Sequence, residues 1–338
     1  MTTKSFISKR KDKTAPCVIP SKVYLNNKGG VGKTTNSSLD AEYSACIKGQ
    51  RVLLIDWDGQ MNLTGHWIGV DVDDKGNLMT PIHPDIDPND QEDSALYSHR
   101  SSIIDIFYGK EVLPHPTYIG PEDIDDLTSP RVDIIAGSRE GMYQLQHNFD
   151  TAVASHGVTT QSTVKGYSTR KLIQRLAEFC ANPELGRYYD QIIIDAGPSD
   201  TPLFRAAIQA ATHIVTPYKP EEYSFMGITT LVNNILSANT NRMGRAEKVK
   251  FIGLLPCMVD RGRGGFHEDY IRDAMQDFSH YHFPQGYLLI NSKKISSRQS
   301  KVEQKPDSVF KLRPSDPIRK DCESVFNYVH SEVFGHGK

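Results

Sequence analysis

The 338-residue sequence predicts an α/β fold, a doubly wound and mostly parallel sheet flanked by helices. Two observations lead there. Short apolar runs recur at 23–26, 52–55, 132–135, 192–194, 213–216, 251–255 and 287–290, several of them β-branched and nearly unbroken. Such runs suit strands buried on both faces of a parallel sheet, whereas half-exposed strands alternate apolar with polar residues. Between the runs lie helix-length stretches. Residues 169–180, for example, set Leu172, Ile173, Leu176, Ala177 and Phe179 at helical spacing. Parallel strands need crossovers of this kind.

Two segments stand outside that rhythm. Residues 1–20 are polar and basic, with Lys4, Lys9, Arg10, Lys11 and Lys13 ahead of Pro16 and Pro20, and read as a flexible N-terminal tail. Residues 21–338 then form a single domain. Within it, 71–130 is rich in Asp, Pro and His, and 71–93 alone carries eight acidic side chains against Lys75. This stretch reads as an acidic, partly irregular insertion on the α/β core, with 71–93 peripheral to nucleotide binding and suited to contacting a partner.

Composition removes several classes. The formal net charge is −2, so contact with nucleic acid would need a local basic patch. Cys17, Cys46, Cys180, Cys257 and Cys322 are scattered without a CxxC pair, which argues against a zinc site or a disulfide framework and for reduced thiols in a cytoplasm. No apolar run approaches the ~18 residues of a membrane span, and the N-terminus lacks the apolar stretch of a secretory signal.

The strongest chemical signal is Lys28-Gly29-Gly30-Val31-Gly32-Lys33-Thr34-Thr35, placed between a predicted strand and a predicted helix. Glycines let successive backbone N–H groups curl around phosphate oxygens, and the helix N-terminus adds partial positive charge. Lys33 can reach the outer phosphates, and the Thr34 hydroxyl can hold Mg2+. The usual phosphate-loop pattern wants Gly six residues before that lysine. Asn27 stands there instead, and a second lysine, Lys28, heads the loop.

This KGGVGKTT form resembles the deviant Walker A motif of the ParA/MinD family of P-loop ATPases, and the resemblance is closest to the DNA-partition members. It continues along Arg51-Val-Leu-Leu-Ile-Asp-Trp-Asp-Gly-Gln-Met-Asn-Leu-Thr64, which is similar to the family's second strand and switch I, with Asp56 and Asp58 on its two aspartates and Gly59 in place of the common proline. Residues 189–198 resemble the Walker B strand and switch II. Asp195 ends that strand, and Ala196-Gly197-Pro198 replaces the usual Thr-Pro-Pro. Residues 211–217, 227–236 and 251–260 resemble later strand–helix units, while 71–130 matches no part of the pattern.

The resemblance implies a Mg2+-dependent ATPase with ATP held by residues 28–35. It makes Lys33 and Lys28 catalytic cations, with Lys28 reaching the partner's nucleotide across an ATP-bound homodimer. Asp58 would hold the attacking water, and Thr34, Asp56 and Asp195 would support Mg2+. It further implies non-specific DNA binding in the ATP state, stimulation by a ParB-like centromere-binding partner and a nucleoid-associated place in the cytoplasm. The basic stretch 291–320, with nine Lys and Arg against Glu303, Asp307 and Asp316, offers Lys293, Lys294 and Arg298 as DNA contacts. The alternative is a related ATPase that positions another cargo or regulates at a membrane. No stable membrane insertion is expected, because Val325, Phe326, Val329, Val333 and Phe334 form the stripe of a core-facing final helix.

Overall fold

A computed structural model describes residues 17–87, 89, 97–121, 126, 128–148, 165–198, 201–221, 227–240, 248–260, 266–289, 295 and 308–335. Its strands are β1 (Ser21–Tyr24), β2 (Arg51–Trp57), β3 (Asp71–Val72), β4 (Leu78–Met79), β5 (His115–Pro116), β6 (Arg131–Ile135), β7 (Gln191–Ala196), β8 (His213–Tyr218) and β9 (Lys250–Pro256). Seven of them form one sheet in the order β5-β6-β2-β7-β1-β8-β9. All neighbours are parallel except β5, which runs antiparallel along β6. The central strands are buried along nearly their whole length, as their unbroken apolar sequences require.

Helices cover both faces. On one lie α1 (Lys33–Cys46), α2 (Asn62–Trp67) and α8 (Pro317–Phe334), whose Leu39, Tyr43, Leu63, Trp67, Val325, Phe326 and Val329 pack with Val52, Leu54 and Ile193. On the other lie α3 (Arg139–His147), α4 (Lys165–Cys180), α5 (Pro202–Ala210) and α6 (Ile228–Ala238), which bury Met142, Leu172, Leu176, Phe204 and Leu231 against Leu53, Ile55 and Ile192. Helix α7 (Phe266–Asp277) adds Ala274 to a small cluster with Tyr218, Ile228 and Leu254. The stripe expected of the last helix is core at Val325, Phe326 and Val329, whereas Phe334 is exposed.

Helix α1 is buried almost all round although much of it is polar. Its Asp40 forms an ion pair with Lys22 of β1 at 2.5 Å, both side chains being fully buried. The hydroxyls of Tyr24 and Ser44 donate to the same carboxylate. A buried pair of this kind adds little net stability, but removing one partner costs roughly 3–5 kcal/mol by leaving a charge alone in the core.

One sequence expectation is corrected. The apolar run at 287–290 is not a strand where the structure describes it. Pro284 and Gly286 (φ 94°) turn the chain, and among the described residues of this run Leu289 reaches the sheet, donating to the Pro256 carbonyl and accepting from Val259. The stretch 71–130, read as an insertion, is built into the fold. It supplies the edge strand β5 and a 3-10 helix, Ile103–Phe107, whose Ile103, Ile104, Ile106 and Phe107 enter the main core. Helix α3 lies so close on that segment that a Cβ at Gly141 would fall 1.9 Å from Ile104 Cδ1.

The same stretch buries two imidazoles, His83 and His115, with ring centroids 4.4 Å apart. His83 Nδ1 accepts from the Asp85 N–H, so its Nε2 carries the proton and donates to the Pro114 carbonyl. Burial lowers the pKa of His83, although Asp85 opposes that shift. Burial, and then the neighbouring imidazole, push His115 down to about 4. The unfolded chain therefore takes up protons first as pH falls below about 6.5, and stability drops until the folded-state pKa is reached. Between about pH 7 and about pH 5 the His115 contribution to this loss is about 2 kcal/mol. Denaturant unfolding at both pH values should show that loss in the wild type and a flatter profile in His115→Gln.

Candidate functional site

The site forms where β1, β2 and β7 end side by side. After β1 the chain runs through Asn26, whose amide donates to the Pro217 carbonyl and whose Oδ1 accepts the Lys28 N–H at 2.9 Å. This fixes the entry to the glycine loop. Gly30 (φ 70°) and Gly32 (φ 91°) take left-handed backbone that side-chain-bearing residues rarely adopt. Gly32 is the N-cap of α1, without a capping side chain and without an acidic residue in the first turn. The helix thus presents bare N–H groups and its positive end to an anion. Val31 is buried, so only its backbone can face a ligand. Thr35 follows in the first turn of α1.

Lys33 is buried, and its ammonium donates to the Lys28 carbonyl at 3.0 Å. Burial lowers its pKa, while Asp195 and Asp58 pull the other way. The Thr34 hydroxyl donates to Asp195 Oδ2 at 2.6 Å. Lys28 instead turns outward, with 40% of its side chain exposed and its ammonium 3.9 Å from Glu221. The two lysines that the sequence assigns to phosphate chemistry therefore face different surroundings.

Asp56 and Asp195 are direct register partners on β2 and β7. Burial raises the pKa of Asp56 to about 7, against hydrogen bonds from Thr64. Burial and then Asp56 raise Asp195 well above the carboxylate range. Asp195 Oδ1 is buried without a hydrogen-bond partner. Asp195 and Asp58 thus act on one lysine, Asp56 faces Asp195 across the paired strands, and one buried oxygen of Asp195 lies unsatisfied while the other accepts the Thr34 hydroxyl. These donors fit Mg2+, a hard cation that takes oxygen ligands, needs few of them from protein and keeps several waters.

The loop after β2 is tightly folded. Asp58 Oδ1 accepts the Gln60 N–H, the Asp58 carbonyl accepts from Met61, and Met61 itself has φ 56°. Such a conformation in a non-glycine residue costs of order 1–3 kcal/mol and persists where the surroundings fix it. Gly197 lies directly against this loop. Its N–H donates to the Trp57 carbonyl, and a Cβ there would be 3.1 Å from Asp58 Oδ1. The glycine that replaces the expected proline therefore leaves room for the Asp58 carboxylate. A cleft of about 890 Å³ opens beside Asp58, walled by the β3–β4 hairpin, α3 and the start of α5.

Sequence reasoning passes over three contributors. Trp57 anchors α5 by donating to the Leu203 carbonyl at 2.8 Å. Thr64, the last residue of the quoted switch I run, clamps Asp56 through both its N–H and its hydroxyl. Gly137, far away in sequence, packs on the same carboxylate. Lys293, Lys294 and Arg298, the expected DNA contacts, lie outside the described residues. Of the basic residues farther on, Arg319 is engaged within the fold, donating to Glu323 and to the Leu312 carbonyl. Among the described residues no helix is long and apolar enough to cross a membrane.

Comparisons with known proteins agree with this geometry. An uncharacterized protein of Pseudomonas putida is 28% identical over 240 residues, covering 70% of this chain and 68% of the relative. A ParA family protein of Mycoplasma pneumoniae is 24% identical over 216 residues, 63% of each chain. The chromosome-partitioning ATPase Soj of Thermus thermophilus is 25% identical over 235 residues, covering 70% of this chain and 68% of Soj. Among solved structures, an ATP complex of a McdA variant from Cyanothece superposes with TM-score 0.60 at 16% identity, covering 95% of this chain and 98% of McdA. Cobyrinic acid a,c-diamide synthase from Mycobacterium smegmatis, with an ATP analog and magnesium, gives 0.58 at 18% identity, covering 94% and 98%. At such identities these two structures speak for the fold alone. A family model for an AAA domain matches residues 21–114 and 161–246, more than half of the chain. The first matched range runs through most of the stretch that the sequence pattern left without a counterpart. With that match, these relatives and the deviant phosphate loop at the carboxyl end of central strand β1, the chain belongs to the ParA/MinD-type family of P-loop ATPases.

Proposed function

We propose that this chain is a MgATP-hydrolysing, dimerising ATPase of DNA partition, which binds DNA without sequence preference in its ATP state and is stimulated by a cargo-bound, ParB-like partner. One observation carries the reading. Lys33, Thr34, Asp56, Asp58 and Asp195 converge at adjoining strand ends behind an uncapped helix and a loop with two left-handed glycines. The role of Soj in chromosome partitioning supports the cargo class.

Phosphoryl transfer to water needs charge neutralisation and alignment more than covalent help. Backbone N–H groups of 29–35 and the Lys33 ammonium would bind the phosphates. Thr34, with Asp56 and Asp195 behind it, would hold Mg2+, which when bound neutralises charge on the outer phosphate oxygens. Asp58 sits on the tight loop beside Gly197 and would orient the attacking water. Lys28, with 40% of its side chain exposed and its ammonium 3.9 Å from Glu221, would extend toward a second subunit's nucleotide. Dimerisation then depends on ATP, and hydrolysis weakens the dimer.

Lys33→Ala should abolish ATP binding. Asp58→Ala should keep ATP binding and the ATP-dependent dimer while lowering kcat by about 100-fold or more. Phosphate release assays with light scattering check both, and wild-type turnover in Asp58→Ala would remove that residue from its role. For DNA, a random duplex should bind in ATP and poorly in ADP, with a steep salt dependence. Lys28→Ala should lose DNA binding together with the dimer, whereas the Lys293→Ala, Lys294→Ala double variant should lose DNA binding and keep the dimer. Fluorescence anisotropy across a salt series reads the difference. Equal affinity in ATP and ADP would direct the switch to a cargo other than DNA.

A further inference from the structure

The stretch 71–130 contains a feature that neither the phosphate loop nor the proposed DNA contacts use. Thr80, just beyond β4, is buried, and its hydroxyl donates to the Gly137 carbonyl at 2.6 Å. The Gly137 N–H donates to Thr64 Oγ1 at 2.9 Å. Thr64 Oγ1 in turn lies 2.7 Å from Asp56 Oδ2, and the Thr64 N–H donates to the same oxygen at 2.8 Å. A hydroxyl has one proton. Because Thr64 accepts from Gly137, its own proton goes to Asp56, and the direction of the line is fixed.

Gly137 is also fixed sterically. A Cβ there would lie 3.1 Å from Asp56 Cγ and 3.2 Å from Oδ2. The glycine therefore presses on the carboxylate from one side while Thr80 holds its carbonyl from the other. With two donors on Oδ2, the less occupied oxygen of Asp56 is Oδ1, which takes only the Asp58 N–H at 3.2 Å. At the outer end, the Arg100 guanidinium grips both the Asp71 carboxylate of β3 and the Thr80 carbonyl. The turn between the two short strands is closed by Asp73, which accepts from the Lys75 and Asn77 N–H groups. The hairpin is thus a small, self-closed unit hung on Arg100 and Thr80, with Val72 exposed on its outside.

We propose that this hairpin positions the metal-side carboxylate, with Thr80 and Thr64 as positioning residues that set the Mg2+ dependence of nucleotide binding. The proposal rests on the reading of Asp56 as a support for Mg2+. Groups that orient a metal-supporting carboxylate change metal affinity without touching the metal, and losing one typically costs about 10–100-fold. Thr80 acts through Gly137, two residues farther out than Thr64, so its effect should be smaller.

The test is equilibrium binding of mant-ATP, followed by fluorescence at graded Mg2+ and in EDTA. Thr80→Val keeps the shape and deletes the donor. It should raise the Mg2+ concentration for half-saturation by about 3–10-fold. Affinity in EDTA should be unchanged, and Thr80→Ser should behave as wild type. Arg100→Gln, at the partly exposed end of the line, should shift the same midpoint by about two- to threefold and decides the matter if Thr80→Val does not fold. A folded Thr80→Val or Arg100→Gln protein with the wild-type Mg2+ midpoint overturns the proposal, as does an equal loss of affinity with and without Mg2+. A wild-type chain that binds no mant-ATP under any condition overturns the reading of the whole site, and this proposal with it.

Discussion

Asp56 and Asp195 stand opposite each other across the parallel pairing of β2 and β7. Two carboxylates side by side in a buried position are unfavourable in their ionised forms, and each is pushed toward its protonated form by burial. The surroundings are built to make that arrangement tolerable. β1 lies next to β7, so the loop that follows β1 can bring the Thr34 hydroxyl to Asp195. Lys33 enters from the same turn as the fixed positive charge. The unsatisfied oxygen of Asp195 leaves the remaining charge to a ligand. The strand order therefore does more than set the fold. It decides which carboxylates share a pocket, in the crevice beyond the carboxyl ends of the strands where open α/β sheets bind their ligands.

Around this pocket, two elements are held in place from outside it. Helix α1 carries the phosphate-facing turn and is tied to β1 by the buried Lys22–Asp40 pair. The loop carrying Asp58 is held by a strained Met61 and by close apposition to Gly197. The two proline-to-glycine departures from the family pattern, Gly59 and Gly197, fall in the two loops that meet there. They exchange the stiffness of proline for closeness, and the Asp58 carboxylate lies against backbone with no side chain between.

Much of this was legible from the chain alone because phosphate binding uses contiguous residues. A glycine loop between a strand and a helix can be recognised in one short window, and Asp56 and Asp195 announce themselves as carboxylates ending β-branched runs. Contacts made across the fold leave no such trace. Gly137 touches Asp56 only because β6 pairs with β2, and Thr80 reaches Gly137 only after the hairpin has folded over. Strand β5 is two residues long and contains Pro116, acceptable at a sheet edge but too short to show any periodicity. At 287–290 apolar residues suggest a strand, but the turn at Pro284 and Gly286 interrupts the chain's pairing with β9 between Phe283 and Leu289. In 71–130 the density of charge concealed Ile103, Ile104, Ile106 and Phe107, which the core claims through a single turn of 3-10 helix.

The chain has two tryptophans, and they bracket the same loop. Trp57 closes β2 immediately before Asp58, and Trp67 ends α2 three residues after Thr64, stacked on Tyr118 with ring centroids 4.9 Å apart and donating to Ser38 of α1. Both indoles are buried, and each is bonded to an element on a different face of the sheet. The intrinsic indole emission of this protein therefore originates entirely from the segment that carries Asp58 and the clamp on Asp56. The molecule contains its own optical reporter, and the native sequence needs no attached dye for rearrangements of that segment to be followed in real time.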